Sequence, residues 1–409
     1  MLNPITNQRE LAYLVKIDNI IPIPQADKVE IAIVGGWKVM VKKNQFKKDD
    51  VAIYFEIDSK VPEKEPFMFL ASKHFKIKTQ KYFKGTVISQ GLLMSPADFG
   101  WEVLEDGTID IKQHINTSNL MVGDFVTELL GITYAEAEDN KRKAPSADKY
   151  KLMAQRNGKL FSKQPFRWLM RREWGKKLLF VFFGKKKDKK SGWPAWVVKT
   201  DEERCQNMPW LFPGNPEEEW IATEKVDGTS TTFTMKGFGR KREFYICSRN
   251  VVFDKPDKNC YYDTNVYVEM AEKYNIEKVL EEILWMYSAV CNFVTIQGET
   301  YGAAVQKRDY GLEGRDFKAF NVILGYEDGH TERLNPIKMK ELLDLFEIPT
   351  VDIVDEHFKI PVTCDELLAM AGGPSAIDGG MREGLVFRSY DGARSFKAVD
   401  SNFLLKYHG

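Results

Sequence analysis

The segment Glu224-Lys225-Val226-Asp227-Gly228-Thr229-Ser230 constrains the chain more than any other, because five further segments follow it in order. They are Ser248-Arg249-Asn250, Gly298-Glu299-Thr300-Tyr301-Gly302, Phe317-Lys318-Ala319-Phe320-Asn321, Glu383-Gly384-Leu385-Val386 and Ser395-Phe396-Lys397. Lys-x-Asp-Gly offers a nucleophilic amine, a carboxylate to orient it or a metal, and a glycine where backbone must approach phosphate or sugar. That is the chemistry of a covalent lysyl–nucleotide intermediate. The bare four-residue pattern arises by chance in roughly one in ten chains this long, so the ordered set carries the reading.

At 409 residues, 43% hydrophobic, the chain can bury a sizeable core and is expected to form two domains. No charged start leads into an apolar run of signal-peptide length, and no stretch approaches the roughly 20 apolar residues that span a bilayer. A soluble, cytoplasmic protein with no membrane partner is expected. Cys205, Cys247, Cys260, Cys291 and Cys364 are scattered, odd in number and without Cys-x-x-Cys spacing, which argues against structural zinc and for a reducing compartment.

The zero net charge is unevenly spread: residues 141 to 190 hold 18 Lys and Arg against Asp148, Glu173 and Asp188. This stretch includes the run Lys185 to Lys190 and is interleaved with Phe166, Trp168, Trp174, Phe182 and Phe183. Its cations can neutralise phosphates while its rings stack on unpaired bases; a solvated connector and membrane-surface attachment are the other readings.

Ahead of it, Leu11 to Ile20, Val29 to Val34, Trp37 to Lys42, Val51 to Ile57 and Thr86 to Leu92 are β-rich and bounded by turn residues. Five short strands at this spacing suit a small barrel of the OB-fold kind. A basic aromatic stretch precedes the last strand, with Lys73, Lys76, Lys78, Lys81 and Lys84 among His74, Phe75, Tyr82 and Phe83. It is either a nucleic-acid-binding loop or a surface loop of snorkelling lysines.

From about Trp196 the pattern turns to mixed α and β. Val266 to Tyr274, Ile276 to Ala289 and Ile337 to Phe346 carry helical apolar spacing. Thr231 to Met235, Phe244 to Cys247, Val294 to Gln297 and Leu385 to Arg388 read as strands. The fold class is therefore α+β, a barrel followed by twisted antiparallel sheets flanked by helices. Expected units are residues 1–130, a basic connector or insertion 131–195, and 196–409.

The ordered segments resemble the collinear motifs of the covalent nucleotidyltransferases: ATP-dependent DNA ligases, RNA ligases and messenger-RNA capping enzymes. The resemblance implies an ATP-grasp-like ligase domain in which Lys225 attacks the α-phosphate of ATP, with Mg²⁺ or Mn²⁺ as cofactor. An unperturbed lysine, with its pKa near 10.4, is protonated at neutral pH. Burial, neighbouring cations and a metal are therefore expected to depress it. Asp227, Glu299 and Glu383 are the metal-binding and catalytic acids, acting through waters; which of them holds the lysine, the metal's water shell or the ribose stays open. Glu224, Phe320 against adenine, Arg249 near a 5′ phosphate, and Lys397 complete the implied nucleotide site.

The family's second lysine, two residues past Lys397, is Val399 here, so Lys406 is taken as the replacement cation, with Arg388 the alternative. Asp391-Gly392 is read as a two-residue turn that returns Lys397 beside Glu383.

Architecture points to a branch. DNA ligases and capping enzymes carry a further OB domain after the motifs. The leading barrel instead resembles a group of ATP-dependent RNA ligases with an N-terminal OB domain. Asp201-Glu202-Glu203-Arg204-Cys205-Gln206-Asn207 resembles that group's Thr-Asp-Glu-Glu-Arg-x-Gln-Asn segment, which adds Arg204 to the site. The implied activity is sealing of 5′-phosphate and 3′-hydroxyl RNA ends through lysyl-AMP and an AMP-capped end, in RNA repair. The partner is RNA, with DNA tolerated in part of the substrate, and the protein is expected to be a monomer. A capping-type guanylyltransferase, a DNA ligase and a non-enzymatic RNA-binding protein are the alternatives.

Overall fold

The computed structural model describes residues 1–3, 9–24, 26–83, 87–111, 119–135, 163–170, 172–183, 193–249, 251–253 and 265–408. The Lys185–Lys190 run, most of the basic connector, Lys84, Cys260 and Asn250 lie outside them.

The longer N-terminal strands fold into two of the three-stranded antiparallel sheets of this half. Ala12–Lys16, Val51–Phe55 and Leu92–Met94 form one, and Asn19–Pro22, Val29–Val34 and Trp37–Lys42 form the other. Leu11 to Ile20 is not one strand, because the chain breaks at Ile17 and Asp18 as it passes between sheets. The first sheet is covered on both faces, so its strands show no polar alternation. Tyr13, Val15 and Tyr54 pack with Trp37 and Val39, whereas Leu14, Ile53 and Phe55 pack with Phe67, Phe75 and Ile77. Phe75 is therefore a core residue, not a stacking platform in a basic loop, and Lys73 donates to Gln80 at 2.7 Å. The strand Thr133–Tyr134 returns to pair with Ser59–Lys60.

In the basic stretch, the described helices Gln164–Met170 and Glu173–Phe183 bring Trp168 and Trp174 edge to face at 5.9 Å, with Arg172 over the Trp168 ring.

The C-terminal half is built on two sheets. One runs in the order Glu203–Arg204, Ser395–Val399, Gly384–Arg388, Trp220–Lys225, Ile353–Phe358. It is antiparallel except for its first pair, which is parallel. The second, antiparallel throughout, runs Val252–Phe253, Glu243–Ser248, Thr229–Lys236, Cys291–Gly302, Arg315–Tyr326, Thr331–Arg333. Helices Val266–Lys273, Ile276–Met286 and Pro336–Asp344 cover this second sheet. Ile276, Val279, Leu280, Ile283 and Leu284 make a buried stripe at helical spacing. Full burial stabilises each by about 1.5–3 kcal/mol. The chain crosses from the first sheet to the second at Val226–Gly228, which places Lys225 at the mouth between them.

The two halves share a core. Val399 and Leu404 pack among Tyr13, Val34, Trp37 and Leu93 of the barrel. The Gly35-Gly36 hairpin tip fits against the 203–207 segment: Gly36 N donates to Gln206 O at 2.8 Å. A Cβ on Gly36 would lie 2.6 Å from Gln206 Cα, so the close approach requires glycine.

Candidate active site

Lys225 ends its strand opposite Gly384, and its Nζ donates to Glu383 Oε2 at 2.7 Å. Glu299 enters from the second sheet, where it pairs with Ser230. Asp227 is held by its own backbone, whose N–H donates to the Tyr310 hydroxyl at 2.7 Å. Gly228 makes this convergence possible: a Cβ there would lie 2.3 Å from Thr300 O and 3.0 Å from Glu299 Cγ. The glycine serves a protein-to-protein approach, where the sequence suggested room for phosphate or sugar.

The electrostatics differ from expectation. Burial pulls the Lys225 ammonium down, but Glu383, Glu299 and Asp227 outweigh it and hold the group above its ordinary value. Lys397 is a cationic neighbour, as the sequence reading required, but the carboxylates prevail. Burial pushes the Glu299 carboxyl up to about 8, against Lys225 and with Glu383 and Asp227 adding to the rise. Burial likewise raises Glu383. Three acids around one lysine make a site short of positive charge.

Among the described residues, no three His, Cys, Asp or Glu side chains converge closely enough to hold a metal by themselves. The set fits magnesium or manganese held largely through waters: Asp227 Oδ2 is buried without a hydrogen-bond partner, and the acids outnumber their counter-ion.

A second charged group lies alongside. Lys397 Nζ donates to Asp201 Oδ1 at 2.8 Å, and Arg249 Nη2 donates to Asp201 Oδ2 at 3.0 Å. Arg9 grips the same carboxylate with Nε at 2.8 Å and Nη2 at 3.2 Å. Arg204 donates to Asp58 of the barrel at 3.2 Å, while its Nη1 is buried and unpartnered. Burial, with Arg9, Arg204 and Lys225 adding to it, pulls Lys397 down to about 8 against the pull of Asp201.

Phe317 and Phe320 fall on opposite faces of their strand. Phe317 is buried in the helix-covered core, whereas Phe320 packs beside Val226, Tyr301 and Tyr310 on the lysine side. Glu224 points away from Lys225; its carboxylate accepts from Ser375 Oγ at 2.6 Å and Ala376 N at 2.7 Å.

Three expectations around Val399 need correction. The hairpin has no two-residue turn, since six residues, 389–394, link its strands and Ser389 Oγ bonds Asp391 and the Arg394 carbonyl. Lys397 pairs with Val386, and it is Val399 that pairs with Gly384. Arg388 cannot stand in for the missing lysine, because it is tied to Glu202 at 2.9 Å and to the Phe320 carbonyl at 2.7 Å. Lys406 lies over the Tyr407 ring at 4.9 Å. His408, two residues on, reaches the acids instead: its Nε2 is 3.3 Å from Asp227 Oδ1.

Sequence reasoning missed Tyr310, His408, Arg9 and Asp201. Asp201 alone had a signal, as the first residue of the segment that supplied Arg204.

A family model described as RNA ligase matches residues 218–408. An OB-fold domain model matches residues 11–96. Solved structures of Naegleria gruberi RNA ligase superpose over nearly the whole chain. An apo variant gives a TM-score of 0.70 at 25% identity, covering 98% of this chain and 99% of that one. The pyrophosphate-bound form gives 0.68 at 26% identity, with 98% and 99% covered. A variant with ATP and Mn gives 0.69 at 25% identity, again with 98% and 99% covered.

Residues 218–408 are an RNA ligase domain. No curated protein matches the chain. It has the N-terminal OB-fold and following ligase domain that its sequence suggested. Among its described residues, no helix is long and apolar enough to cross a membrane.

Proposed function

We propose that the ligase uses ATP and Mg²⁺ or Mn²⁺ to seal RNA in three steps centred on Lys225. The observation that carries this reading is the Lys225 amine bonded to Glu383, with Asp227 and Glu299 completing an acidic ring. The Naegleria gruberi structures that resemble it include complexes with ATP and Mn and with AMP and Mn. Asp227, Glu299 and Glu383 would hold the metal through its waters; its charge favours the neutral amine and offsets charge on the α-phosphate. Lys225 loses its proton and forms the P–N bond as pyrophosphate leaves. The AMP then passes to a 5′ phosphate, which frees Lys225, and a neighbouring 3′ hydroxyl displaces AMP to close the phosphodiester. In-line positioning supplies most of the rate.

Phe320 stacks on adenine, Lys397 and Arg204 bind nucleotide phosphates, and Arg249 binds the 5′ phosphate of the RNA. A role in RNA repair, a monomeric state and tolerance of DNA on part of the nick complete the reading. So does a cytoplasmic location: Cys205 and Cys364 lie 3.9 Å apart as free thiols, as a reducing compartment would keep them.

Incubation with α-³²P-labelled ATP or GTP tests it. Label from ATP, lost in Lys225→Ala and with EDTA, is expected. Label from GTP alone would indicate capping chemistry, and label from neither a non-enzymatic protein. Matched RNA and DNA nicks then separate RNA from DNA ligation.

A further inference from the structure

Resting on that reading, we propose that Asp201 is a positioning residue for both nucleotidyl transfer and end joining: clamped by Arg9, its carboxylate presents Lys397 and Arg249 to the phosphates. Asp201 takes four charged hydrogen bonds, two to each oxygen. Oδ1 accepts from Lys397 and Arg9 Nη2, and Oδ2 accepts from Arg249 and Arg9 Nε. Bidentate arginine fixes the plane of a carboxylate, so the directions left for the other two cations are set from the barrel. Arg9 is in turn fixed by Glu56 at 3.0 Å and by the Glu202 carbonyl at 3.0 Å.

An ion pair that merely fastened barrel to ligase domain would need Arg9 alone. Here the same carboxylate also holds two cations of its own domain, one within a strand of the first sheet and one just past a strand of the second. Both are assigned to phosphates, and Asp201 is 14% exposed. Arg9 is already balanced by Glu56, so the Asp201 carboxylate is left to two cations, Lys397 and Arg249, which it orients without cancelling both. Lysine and arginine side chains lose rotamer freedom when fixed, and Asp201 exacts that loss before the phosphates arrive. The pull of Asp201 also keeps Lys397 charged against burial and its cationic neighbours. An asparagine would keep the shape, but it would lose the charge and turn an N–H toward an arginine.

The test measures single-turnover lysine adenylylation and sealing of a pre-adenylylated RNA nick on the full chain. It compares wild type, Asp201→Asn, Asp201→Glu, Lys397→Ala, Arg249→Ala and the two doubles with Asp201→Asn, together with each melting temperature. Asp201→Asn should slow both steps by about tenfold or more and raise KM for ATP, with partial recovery in Asp201→Glu. It should add less than about threefold to Lys397→Ala in the first step, and less than about threefold to Arg249→Ala in sealing. An Asp201→Asn protein that melts early but runs both steps at the wild-type rate overturns the proposal. So do effects that multiply fully in both doubles. Wild-type protein that takes no label from ATP would sink the broader reading instead, and that control is scored first.

Discussion

At Gly228 a single methyl group meets a backbone carbonyl that has nowhere to go, because Thr300 lies within a paired strand. Gly228→Ala should destabilise the protein by about 1–3 kcal/mol and displace Glu299, read as a lower urea midpoint and slower adenylylation. The two phenylalanines make the complementary test. Phe317→Ala empties the core and should cost about 3–5 kcal/mol in urea unfolding. Phe320→Ala should cost less stability but raise KM for ATP, by on the order of tenfold for one lost stacked ring. Which ring does which follows from parity: residues three apart in a strand face opposite ways, and the alternating burial of Phe317 to Asn321 fixes the face. Lys225, Glu299, Glu383 and Lys397 were legible because short motifs in fixed order bring their own context. Arg9 was not, since its partner lies 192 residues away and no local pattern marks a lone arginine.

Among elements, the segment from Asp201 to Asn207 acts as a wedge between the halves. Its Glu203–Arg204 strand adds to the ligase sheet in parallel with Phe396–Lys397, while its other side meets the barrel. Asn207 finishes the wedge. It accepts from Trp37 Nε1 at 2.6 Å and Tyr13 Oη at 3.0 Å, and donates to Glu56 at 2.7 Å and Glu203 at 2.8 Å. Asn207→Ala strands the buried Trp37 Nε1 and removes one partner each from Tyr13 Oη, Glu56 and Glu203, and should cost about 1–3 kcal/mol by chemical denaturation. The sequence exposed this segment only as a motif; its strand is two residues long, too short for any periodicity. The second barrel core escaped for the same reason, because Ser59–Lys60, Lys76–Ile77 and Thr133–Tyr134 are two-residue strands. The longer apolar strands and the helix Ile276–Met286 were legible from spacing alone.

Over the whole molecule, acid should undo the junction first. Burial pushes Glu56 up, but the Met1 ammonium and Arg9 overcome it and hold the carboxyl at about 2. A carboxyl depressed on folding adds stability above its unfolded pKa near 4.3 and loses it as pH falls toward 2. The shift corresponds to about 3 kcal/mol. Urea midpoints measured from pH 6 to pH 2 should fall less steeply in Glu56→Gln, which should already be weaker at pH 6. Removing residues 1–130 should not leave a working adenylylating half: Asp201 would lose Arg9, Arg204 would lose Asp58, and Val399 and Leu404 would face water. Poor solubility and reduced labelling of that fragment are the expected readouts. The same packing limits how freely such enzymes can trade parts. A barrel borrowed from a relative will seat here only if the recipient's last strand and helix are recut to its shape, so a chimera should travel with the donor's tail.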